Sequence, residues 1–372
     1  MTERPTILVN HLLEPPNRIS GISRYLFALL TRLVALPQYR FVLATTWSAD
    51  QIPDSVRATG IEIITQPFYE KTPRNILQQM VVLPRLMRKT GAVLEFNCNP
   101  IGCFRRSWPR VITVHDLYFD VLPQSYNWRH RLWWRLFFPR SLNAASAVIC
   151  VSDNTRKDVE RFHPGFERKL TVVHEADILD AGLGETECPE DLARSPYAIY
   201  VGNVSPNKNA QTLVRALALL EAGSDAPLVR HVGGDGQGLL AQALAETPLK
   251  RPPMAAGVVD DHRLATLYRH ATCLVNTSTY EGFCLPILEA QAFGLPVICA
   301  DIGVLREVAG DSALFFDPED PQALATHIHN VFGDADLRKR LHETSLRNVQ
   351  RFSWQRAAEE TQAVFDRVLR HA

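Results

Sequence analysis

Residues 272–289 read TCLVNTSTYEGFCLPILE, and this stretch decides how the second half of the chain folds. Its first five residues form an apolar run typical of a buried strand, and Pro286 is suited to the first position of a helix. Glu281 lies in the glycine-containing loop between them, and Glu289 falls on the predicted first turn. Such a strand–loop–helix junction directs unpaired backbone N–H groups and the positive end of the helix dipole towards a ligand.

Seven residues separate the two glutamates. With one carboxylate on the loop and one on the helix, two different groups of hydroxyls could donate hydrogen bonds to them, which suits a sugar attached to a phosphate. The alternative is a loop glutamate plus a helix-start glutamate that the helix dipole stabilises without any ligand. This spacing alone leaves both interpretations open.

Short apolar runs alternate with longer helical patterns along the whole chain. This alternation predicts an α/β fold class with two Rossmann-like, doubly wound domains facing across a cleft. We expect an N-terminal domain over residues 1–183, a C-terminal domain over 184–353 and a last helix over 354–372. Strands are predicted at 6–10, 41–45, 62–65, 93–96, 111–114, 147–151, 170–173, 198–201, 229–232, 254–257, 273–276, 297–300 and 313–316.

The composition is that of an ordinary globular protein, with 372 residues of which 46% are hydrophobic and 22% charged. Basic and acidic residues number 40 each, but residues 1–183 hold 23 basic and 16 acidic side chains, and residues 184–372 hold 17 and 24. The basic half could contact an anionic membrane surface or an acidic acceptor. It could equally be a solvated surface without a partner.

The seven cysteines form no C-x-x-C pair. We expect them to be reduced core residues, since a thiol in an apolar run behaves as a small hydrophobe. The sequence shows no signal-peptide pattern and no apolar run near the roughly 20 residues of a membrane span. These observations predict a cytoplasmic protein, either soluble or peripheral on the inner face of the cytoplasmic membrane.

Further strand ends in the second half carry candidate ligand groups. One strand runs into GNVSPNKN, residues 202–209, where Lys208 could neutralise a phosphate or could be a solvated loop lysine. Another ends in GGDG, residues 233–236, whose glycines allow close approach of backbone to a ligand. After the strand at 254–257, Asp261 is the predicted N-cap of a helix.

Strand ends in the first half show a similar pattern. Gly21, in the segment SGISRY at residues 20–25, opens a predicted helix and would let a phosphate or sugar approach the backbone. His115 follows the strand at 111–114. A lone histidine in this position is more often structural than functional.

With these turns in order, the chain resembles the family-4 retaining glycosyltransferases with the GT-B fold from about Ile7 to Leu369. The shared order and spacing of the motifs are specific, although each motif alone is modest. The resemblance implies an acceptor-binding N-terminal domain, a C-terminal domain that binds a nucleotide sugar, and a last helix that returns to the N-terminal domain. The motifs are SGISRY at 20–25, TVHDL at 113–117, VS at 151–152, YVG at 200–202 with Lys208, GGDG at 233–236 and YEGFCLPILE at 280–289.

The resemblance also implies roles for single residues. Glu281 would contact hydroxyls of the donor sugar, and Glu289 would contact the nucleotide ribose. Lys208 and the backbone amides of 283–285 would hold the diphosphate, while Val259 would bracket the nucleobase. The implied catalytic residues are Glu281 and His115, and the implied donor-binding residues are Gly21, Arg24, Gly202, Asn203, Lys208, Gly234, Val259, Phe283, Cys284, Leu285 and Glu289.

Two residues depart from the family pattern. Asn203 stands where many relatives carry arginine, so another cation such as Arg24 is expected to assist the loop lysine. Cys284 stands where relatives usually have glycine, and its side chain would narrow the approach to the phosphates. In the N-terminal domain, the resemblance places His115 at the reaction centre and Gly21 where the phosphates and acceptor need room.

The expected activity is transfer of a sugar with retention of its anomeric configuration and without a divalent metal. The acids of residues 334–336, DAD, fall in a surface-like turn, and we expect neither a metal site nor a cofactor. The form of the 202–209 loop resembles that of bacterial surface-polysaccharide mannosyltransferases, which suggests GDP-mannose as donor and a glycan or lipid-linked acceptor. Nucleic acid is not an expected partner. The alternatives are an enzyme that uses a UDP-sugar and a non-catalytic nucleotide-sugar-binding protein.

Residues 128–138, WRHRLWWRLFF, mix basic and aromatic side chains at helical spacing. Such a helix could lie at a membrane interface and meet a lipid-linked acceptor. Alternatively, it is an N-terminal-domain helix whose aromatic side belongs to the core.

Overall fold

The computed structural model of the protein describes residues 4–16, 19–69, 72–193, 195–223 and 226–371. The chain forms two compact units. The N-terminal unit comprises Met1–Glu175 and Ser353–Ala372, and the C-terminal unit comprises Ala176–Phe352. The chain therefore leaves the N-terminal unit a little before the sequence-based boundary at 183/184, and it returns one residue before the predicted last helix.

The described residues form the following elements. The strands are β1 (Thr6–His11), β2 (Arg40–Thr45), β3 (Glu62–Thr65), β4 (Ala92–Asn97), β5 (Arg110–Val114), β6 (Ala147–Cys150), β7 (Leu170–Val172), β8 (Tyr197–Val201), β9 (Leu228–Val232), β10 (Met254–Gly257), β11 (Cys273–Asn276), β12 (Val297–Ala300) and β13 (Ala313–Phe316). The helices are α1 (Gly21–Ala35), α2 (Asp54–Arg57), α3 (Thr72–Thr90), α4 (Tyr118–Val121), α5 (Trp128–Ala144), α6 (Asp153–Phe162), α7 (Glu190–Ala193), α8 (Ala210–Ala222), α9 (Leu239–Glu246), α10 (Asp261–His270), α11 (Leu285–Ala292), α12 (Gly303–Ala309), α13 (Pro321–Gly333), α14 (Ala335–Val349) and α15 (Trp354–Arg370).

Each unit is built around a parallel sheet. The order in the N-terminal unit is β3-β2-β1-β4-β5-β6-β7, and in the C-terminal unit it is β10-β9-β8-β11-β12-β13. Both orders are doubly wound, because the chain first builds outward in one direction and then returns to build in the other. The predicted α/β class with two Rossmann-like domains is confirmed. The order reverses between β1 and β4 in one sheet and between β8 and β11 in the other, which marks the carboxyl ends of these strands as ligand sites.

The central strands are apolar because helices cover both faces of each sheet. All six residues of β1 and all four of β6 and of β12 are buried. The last helix, α15, packs against α1 and buries Phe365 beside Phe96 of β4, with ring centroids 5.3 Å apart. The predicted return of the C-terminal helix to the N-terminal unit is thus confirmed.

Three local predictions need correction. The N-cap of α10 is Asp260, whose carboxylate accepts a hydrogen bond from the Arg263 amide, and not Asp261. Helix α11 begins at Leu285, so Glu289 is its fifth residue and lies beyond the first turn. Cys188 is exposed, whereas the other six cysteines are buried as expected, and all seven are free thiols.

In the described ranges, no helix combines the length and apolar character that crossing a membrane requires.

Candidate functional site

The candidate site of the C-terminal unit lies where the strand order of its sheet reverses. Strands β8 and β11 are neighbours there, with Cys273 paired to Ala198 and Leu274 to Ile199. Parallel strands end at the same edge of a sheet, so the loops that follow β8 and β11 start side by side. These loops are residues 202–209 and 277–284.

Lys208 and Glu281 connect the two loops. The Lys208 Nζ lies 2.5 Å from the Glu281 Oε1, and the side chains are only 16% and 13% exposed. The Ser278 hydroxyl donates a second hydrogen bond to the same carboxylate oxygen over 2.7 Å. The structure therefore places a shielded ammonium–carboxylate pair at the carboxyl edge of the sheet.

Lys208 keeps its positive charge because the Glu281 carboxylate is close. Burial alone would lower the pKa of the ammonium, but the Glu281 carboxylate outweighs burial and raises the pKa of Lys208 well above its usual value. Lys208 is therefore protonated at any pH at which an enzyme works. An ammonium has three donors, so Lys208 can bind Glu281 and still donate to a phosphate oxygen.

Backbone contacts hold this pair in place. The Lys208 carbonyl accepts hydrogen bonds from the Thr277 hydroxyl at 2.6 Å and the Tyr200 hydroxyl at 3.0 Å. Asn207 donates from Nδ2 to the Tyr280 carbonyl over 2.9 Å and accepts at its own carbonyl from the Thr279 amide over 2.7 Å. Both loops are thus fixed to each other on each side of the charged pair.

The glycines at the ends of β8 and β9 allow a very close backbone approach. Gly202 and Gly233 have φ values of +129° and +130°, which side-chain-bearing residues rarely adopt. A Cβ on Gly233 would lie 2.3 Å from the Gly202 carbonyl oxygen. The Asn203 Oδ1 accepts from the Gly234 amide over 2.8 Å, so this side chain holds the 233–236 loop.

The start of α11 contains an unusual residue. Cys284 is the N-cap and has a φ of +81°, in the left-handed region that favours glycine. Its thiol is buried and accepts a hydrogen bond from Asn276 Nδ2 at 3.2 Å, so the side chain is directed towards the end of β11. Burial, with a contribution from Glu281, raises the pKa of the Cys284 thiol, which therefore stays protonated. Phe283 is buried beside Phe352, and Leu285 is partly exposed.

Glu289 and Val259 are the two remaining predicted donor-binding residues of the C-terminal unit. Glu289 is buried, and its Oε2 accepts a hydrogen bond from the Tyr268 hydroxyl at 3.0 Å. Val259 follows β10 and is partly exposed. Gly233 donates its amide to the Gly257 carbonyl over 2.8 Å, which ties the end of β10 to the glycine loop.

In the N-terminal unit, His115 follows β5 and is held on both sides. Its Nδ1 lies 3.1 Å from Glu175 Oε1, and its Nε2 lies 3.0 Å from the Cys98 carbonyl oxygen. Both partners offer acceptor oxygens, so these contacts favour the imidazolium form, in which both ring nitrogens carry hydrogen. Burial opposes this charge, but the hydrogen bond and charge of Glu175 outweigh burial and raise the pKa of His115. The ring also meets Tyr25 edge-on, with centroids 4.7 Å apart.

Gly21 is the exposed first residue of α1, and a Cβ built on it would meet no other atom within 4 Å. Ser20 caps the helix by accepting from the Ser23 amide, and its hydroxyl donates to the buried Glu14 carboxylate over 2.5 Å. Arg24 lies on the same turn and is partly buried. This helix start is therefore rigid, with open space at Gly21.

Within the C-terminal unit, the structure brings the predicted residues of the two loops and the glycine turn to one edge of the sheet. The predicted residues His115, Gly21 and Arg24 belong to the N-terminal unit. The sequence-based prediction missed Ser278, Tyr268 and Glu175, which hold Glu281, Glu289 and His115. A polar residue just beyond β7 was the only available signal for Glu175, because the pairing depends on the register of the sheet. In the described part of the chain, no three His, Cys, Asp or Glu side chains are grouped to hold a metal ion.

Residues 19–176 match the family model "Glycosyltransferase Family 4", and residues 190–347 match "Glycosyl transferases group 1". The O-antigen chain mannosyltransferase B of Escherichia coli is 30% identical over 260 residues, which cover 68% of each chain. The chain belongs to glycosyltransferase family 4. Two more mannosyltransferases are similar to this glycosyltransferase: WbdA of Escherichia coli, 30% identical over 58% of this chain and 28% of its own length, and RfbU of Salmonella typhimurium, 26% identical over 60% of each chain.

Solved structures show the fold of this glycosyltransferase. The sucrose-phosphate synthase of Thermosynechococcus elongatus covers both chains fully with a TM-score of 0.78 and 20% identity. HepE of Anabaena, in complex with UDP and glucose, has a TM-score of 0.72 and 18% identity over 98% of this chain and all of its own. At these identities the likeness establishes the GT-B fold alone.

Proposed function

We propose that this glycosyltransferase transfers mannose from GDP-mannose, with retention, to a glycan or lipid-linked acceptor. The observation that carries this proposal is the Lys208–Glu281 pair at the carboxyl ends of β8 and β11. It supplies one group for a diphosphate and one for sugar hydroxyls at the point where a doubly wound sheet binds ligands. The mannosyltransferase names of the relatives support the choice of sugar.

The proposed reaction breaks the bond between the anomeric carbon and the phosphate oxygen and forms a bond to an acceptor hydroxyl oxygen on the same face. The acceptor proton passes to the leaving phosphate. Lys208 and the backbone amides at the start of α11 stabilise the charge that develops on the diphosphate. Glu281 binds hydroxyls of the sugar as its ring becomes oxocarbenium-like. No divalent metal takes part in this scheme.

The second candidate function is transfer from a UDP-sugar. It is favoured by HepE, a structural neighbour whose solved complexes contain UDP with glucose and UDP-glucose. A third possibility, a protein that binds a nucleotide sugar without turnover, would retain the fold and lose the reaction. We propose a cytoplasmic location, peripheral on the inner face of the membrane, because a lipid-linked acceptor is presented there.

The donor is tested by calorimetric titration with GDP, UDP and ADP, followed by turnover of GDP-mannose and UDP-glucose on lipid-linked acceptors. Tighter binding of GDP and transfer of mannose are the expected results. Preference for UDP with transfer of glucose would replace the donor assignment. Nucleotide-sugar binding without transfer to any acceptor would favour the non-catalytic function.

The role of Glu281 is tested with Glu281→Gln, which keeps an acceptor for Lys208 and Ser278 but removes the charge. We expect turnover to fall by about 100-fold, the typical effect of losing one preorganised polar contact in a transition state. GDP affinity should change little, since the diphosphate and base are held elsewhere. The control is Glu319→Gln, an exposed carboxylate of the same unit. Turnover near that of the wild type would remove Glu281 from the reaction.

A further inference from the structure

Helix α5 has one side in the core of the N-terminal unit. Phe138 and Leu142 are buried, and Trp134 stacks on Phe119 with centroids 4.2 Å apart and an angle of 5° between the rings. The alternative in which the aromatic side of this helix belongs to the core is therefore correct for these residues. That side does not account for the whole helix.

The opposite side of α5 exposes an apolar stripe. Trp128, Leu132 and Leu136 are 68%, 48% and 41% exposed. They are spaced by four residues, so at about 100° per residue they lie along one side of the helix over three successive turns. Among the described residues, the other helices each expose at most one large apolar side chain. Single exposed apolar residues need no explanation, but a continuous stripe does.

Arginines border the stripe on both sides. By the same helical geometry, Arg131 and Arg135 lie on one flank, and Arg129 and Arg140 lie on the other. All four are exposed. The sequence of α5 contains no aspartate or glutamate, so the charges that the helix itself carries are all basic.

The neighbouring loop adds to this charge. Phe104 stacks on Phe137 of α5 with ring centroids 5.5 Å apart, which brings the exposed Arg105 and Arg106 beside the C-terminal half of the helix. Lys169 lies close as well, because its Nζ donates to the Leu142, Asn143 and Ala145 carbonyls at the end of α5.

We propose that the exposed face of α5, defined as Trp128, Leu132 and Leu136 with Arg129, Arg131, Arg135 and Arg140, binds the surface of an anionic lipid bilayer. An apolar stripe between two rows of arginine is the pattern of a helix that lies in the membrane interface, and tryptophan prefers that depth. The flanking guanidinium groups complement lipid phosphates. This surface deepens the proposed function, since it would hold the enzyme where a lipid-linked acceptor is presented, but its evidence is independent of the donor site.

The test is co-sedimentation of the full chain with vesicles of phosphatidylcholine, with and without phosphatidylglycerol. We expect binding to the anionic vesicles only, decreasing as salt increases. The triple variant Trp128→Ser/Leu132→Ser/Leu136→Ser and the quadruple variant with Gln at Arg129, Arg131, Arg135 and Arg140 should each weaken binding by about tenfold or more. The matched control is Leu346→Ser/Arg347→Gln on α14, which also replaces an exposed leucine and an exposed arginine.

GDP titration is run on every variant. Because the donor site lies in the other unit, GDP affinity should stay unchanged, which shows that the variants are folded and separates this proposal from the donor assignment. The proposal is overturned if the wild-type protein does not bind anionic vesicles. It is also overturned if the triple variant binds them as strongly as the wild type. The wild-type protein could instead form a dimer without vesicles and show no vesicle binding. If the triple variant abolishes that dimer, the stripe is assigned to contact with a second copy of the chain.

Discussion

Lys208 is the residue on which the proposed diphosphate site depends most. It is the only cationic side chain of the 202–209 loop. Asn203 uses its side-chain oxygen to hold the Gly234 amide and adds no charge. Assistance from Arg24, which lies on α1 of the N-terminal unit, stays a prediction.

We expect Lys208→Met to weaken binding of GDP about ten- to 100-fold, which corresponds to the ~1.5–3 kcal/mol of a charge-assisted hydrogen bond. Affinity for guanosine should be nearly unchanged, because the nucleoside has no phosphate. Methionine keeps the apolar stem of the side chain. Calorimetric titration of both ligands measures the difference, with Lys339→Met on α14 as the control. Equal losses for guanosine and GDP would mean that the lysine acts through the fold.

The backbone conformation of Cys284 predicts how substitutions at this position change the stability of the protein. At a φ of +81°, any side chain strains the N-cap of α11 by about 1–2 kcal/mol, whereas glycine does not. We therefore expect Cys284→Gly to be more stable than Cys284→Ala by about 1 kcal/mol. Inside a helix the order is the opposite, with glycine about 1 kcal/mol worse than alanine.

Urea unfolding of the two variants measures this order. Ala290→Gly, inside the same helix, supplies the ordinary ranking as a control, with an expected loss of about 1 kcal/mol. If Cys284→Ala proves the more stable of the two, the left-handed geometry at this cap costs less than assumed.

At the scale of elements, the strands could be predicted to within one residue at each end. The apolar runs of the central strands are buried, as in β1, β6 and β12, whereas β3 and β10 are partly exposed. The start of α11 could not be predicted as well. The proline rule placed the helix start at Pro286, but Cys284 adopts a left-handed cap that admits Leu285 as the first residue.

The partners of the site residues depend on how distant parts of the chain are aligned in the fold. They could therefore not be predicted from the sequence. Glu289 meets Tyr268 from α10, and His115 at the end of β5 meets Glu175 beyond β7. Neither separation along the chain, 21 and 60 residues, follows a local rule. The two sides of α5 were also not separable, because aromatic residues occur on both.

The contact between the ends of β5 and β7 predicts a pH dependence of stability. The pKa of His115 is raised in the folded chain by Glu175, whereas the unfolded value is about 6.5. The stabilisation is therefore complete below about pH 6.5 and is lost as the pH rises through the folded pKa, since the folded state then releases the extra proton.

Glu175→Gln removes the cause of the raised pKa. We expect the free energy of unfolding of the wild type to fall more steeply than that of Glu175→Gln as the pH rises above about 6.5. Urea midpoints at several pH values measure the two slopes, and Glu360→Gln, an exposed carboxylate of α15, is the control. Parallel curves for wild type and Glu175→Gln would show that this pair does not hold the proton.

At the scale of the whole molecule, both units repeat one strand plan but differ in charge. The N-terminal half is basic, and the C-terminal half is acidic. Two acids of the C-terminal half have protein partners. Glu281 is paired with Lys208, and Asp334 of the DAD segment caps α14 by accepting from the Leu337 amide. Positive charge at the site comes instead from the lysine and the start of α11.

This distribution of charge predicts transfer that needs no divalent metal, and the family resemblance implies that transfer retains the anomeric configuration. A magnesium-bound nucleotide normally requires one or two carboxylates beside its phosphates, and at this site the Glu281 carboxylate is paired with Lys208. Turnover should therefore persist in excess chelator, and an α-linked donor should give an α-linked product, as NMR of the product would show. Activity lost with chelator and restored by magnesium or manganese would refute the first half. A β-linked product would refute the second, because front-face attack beside a leaving phosphate held by Lys208 cannot invert the anomeric carbon.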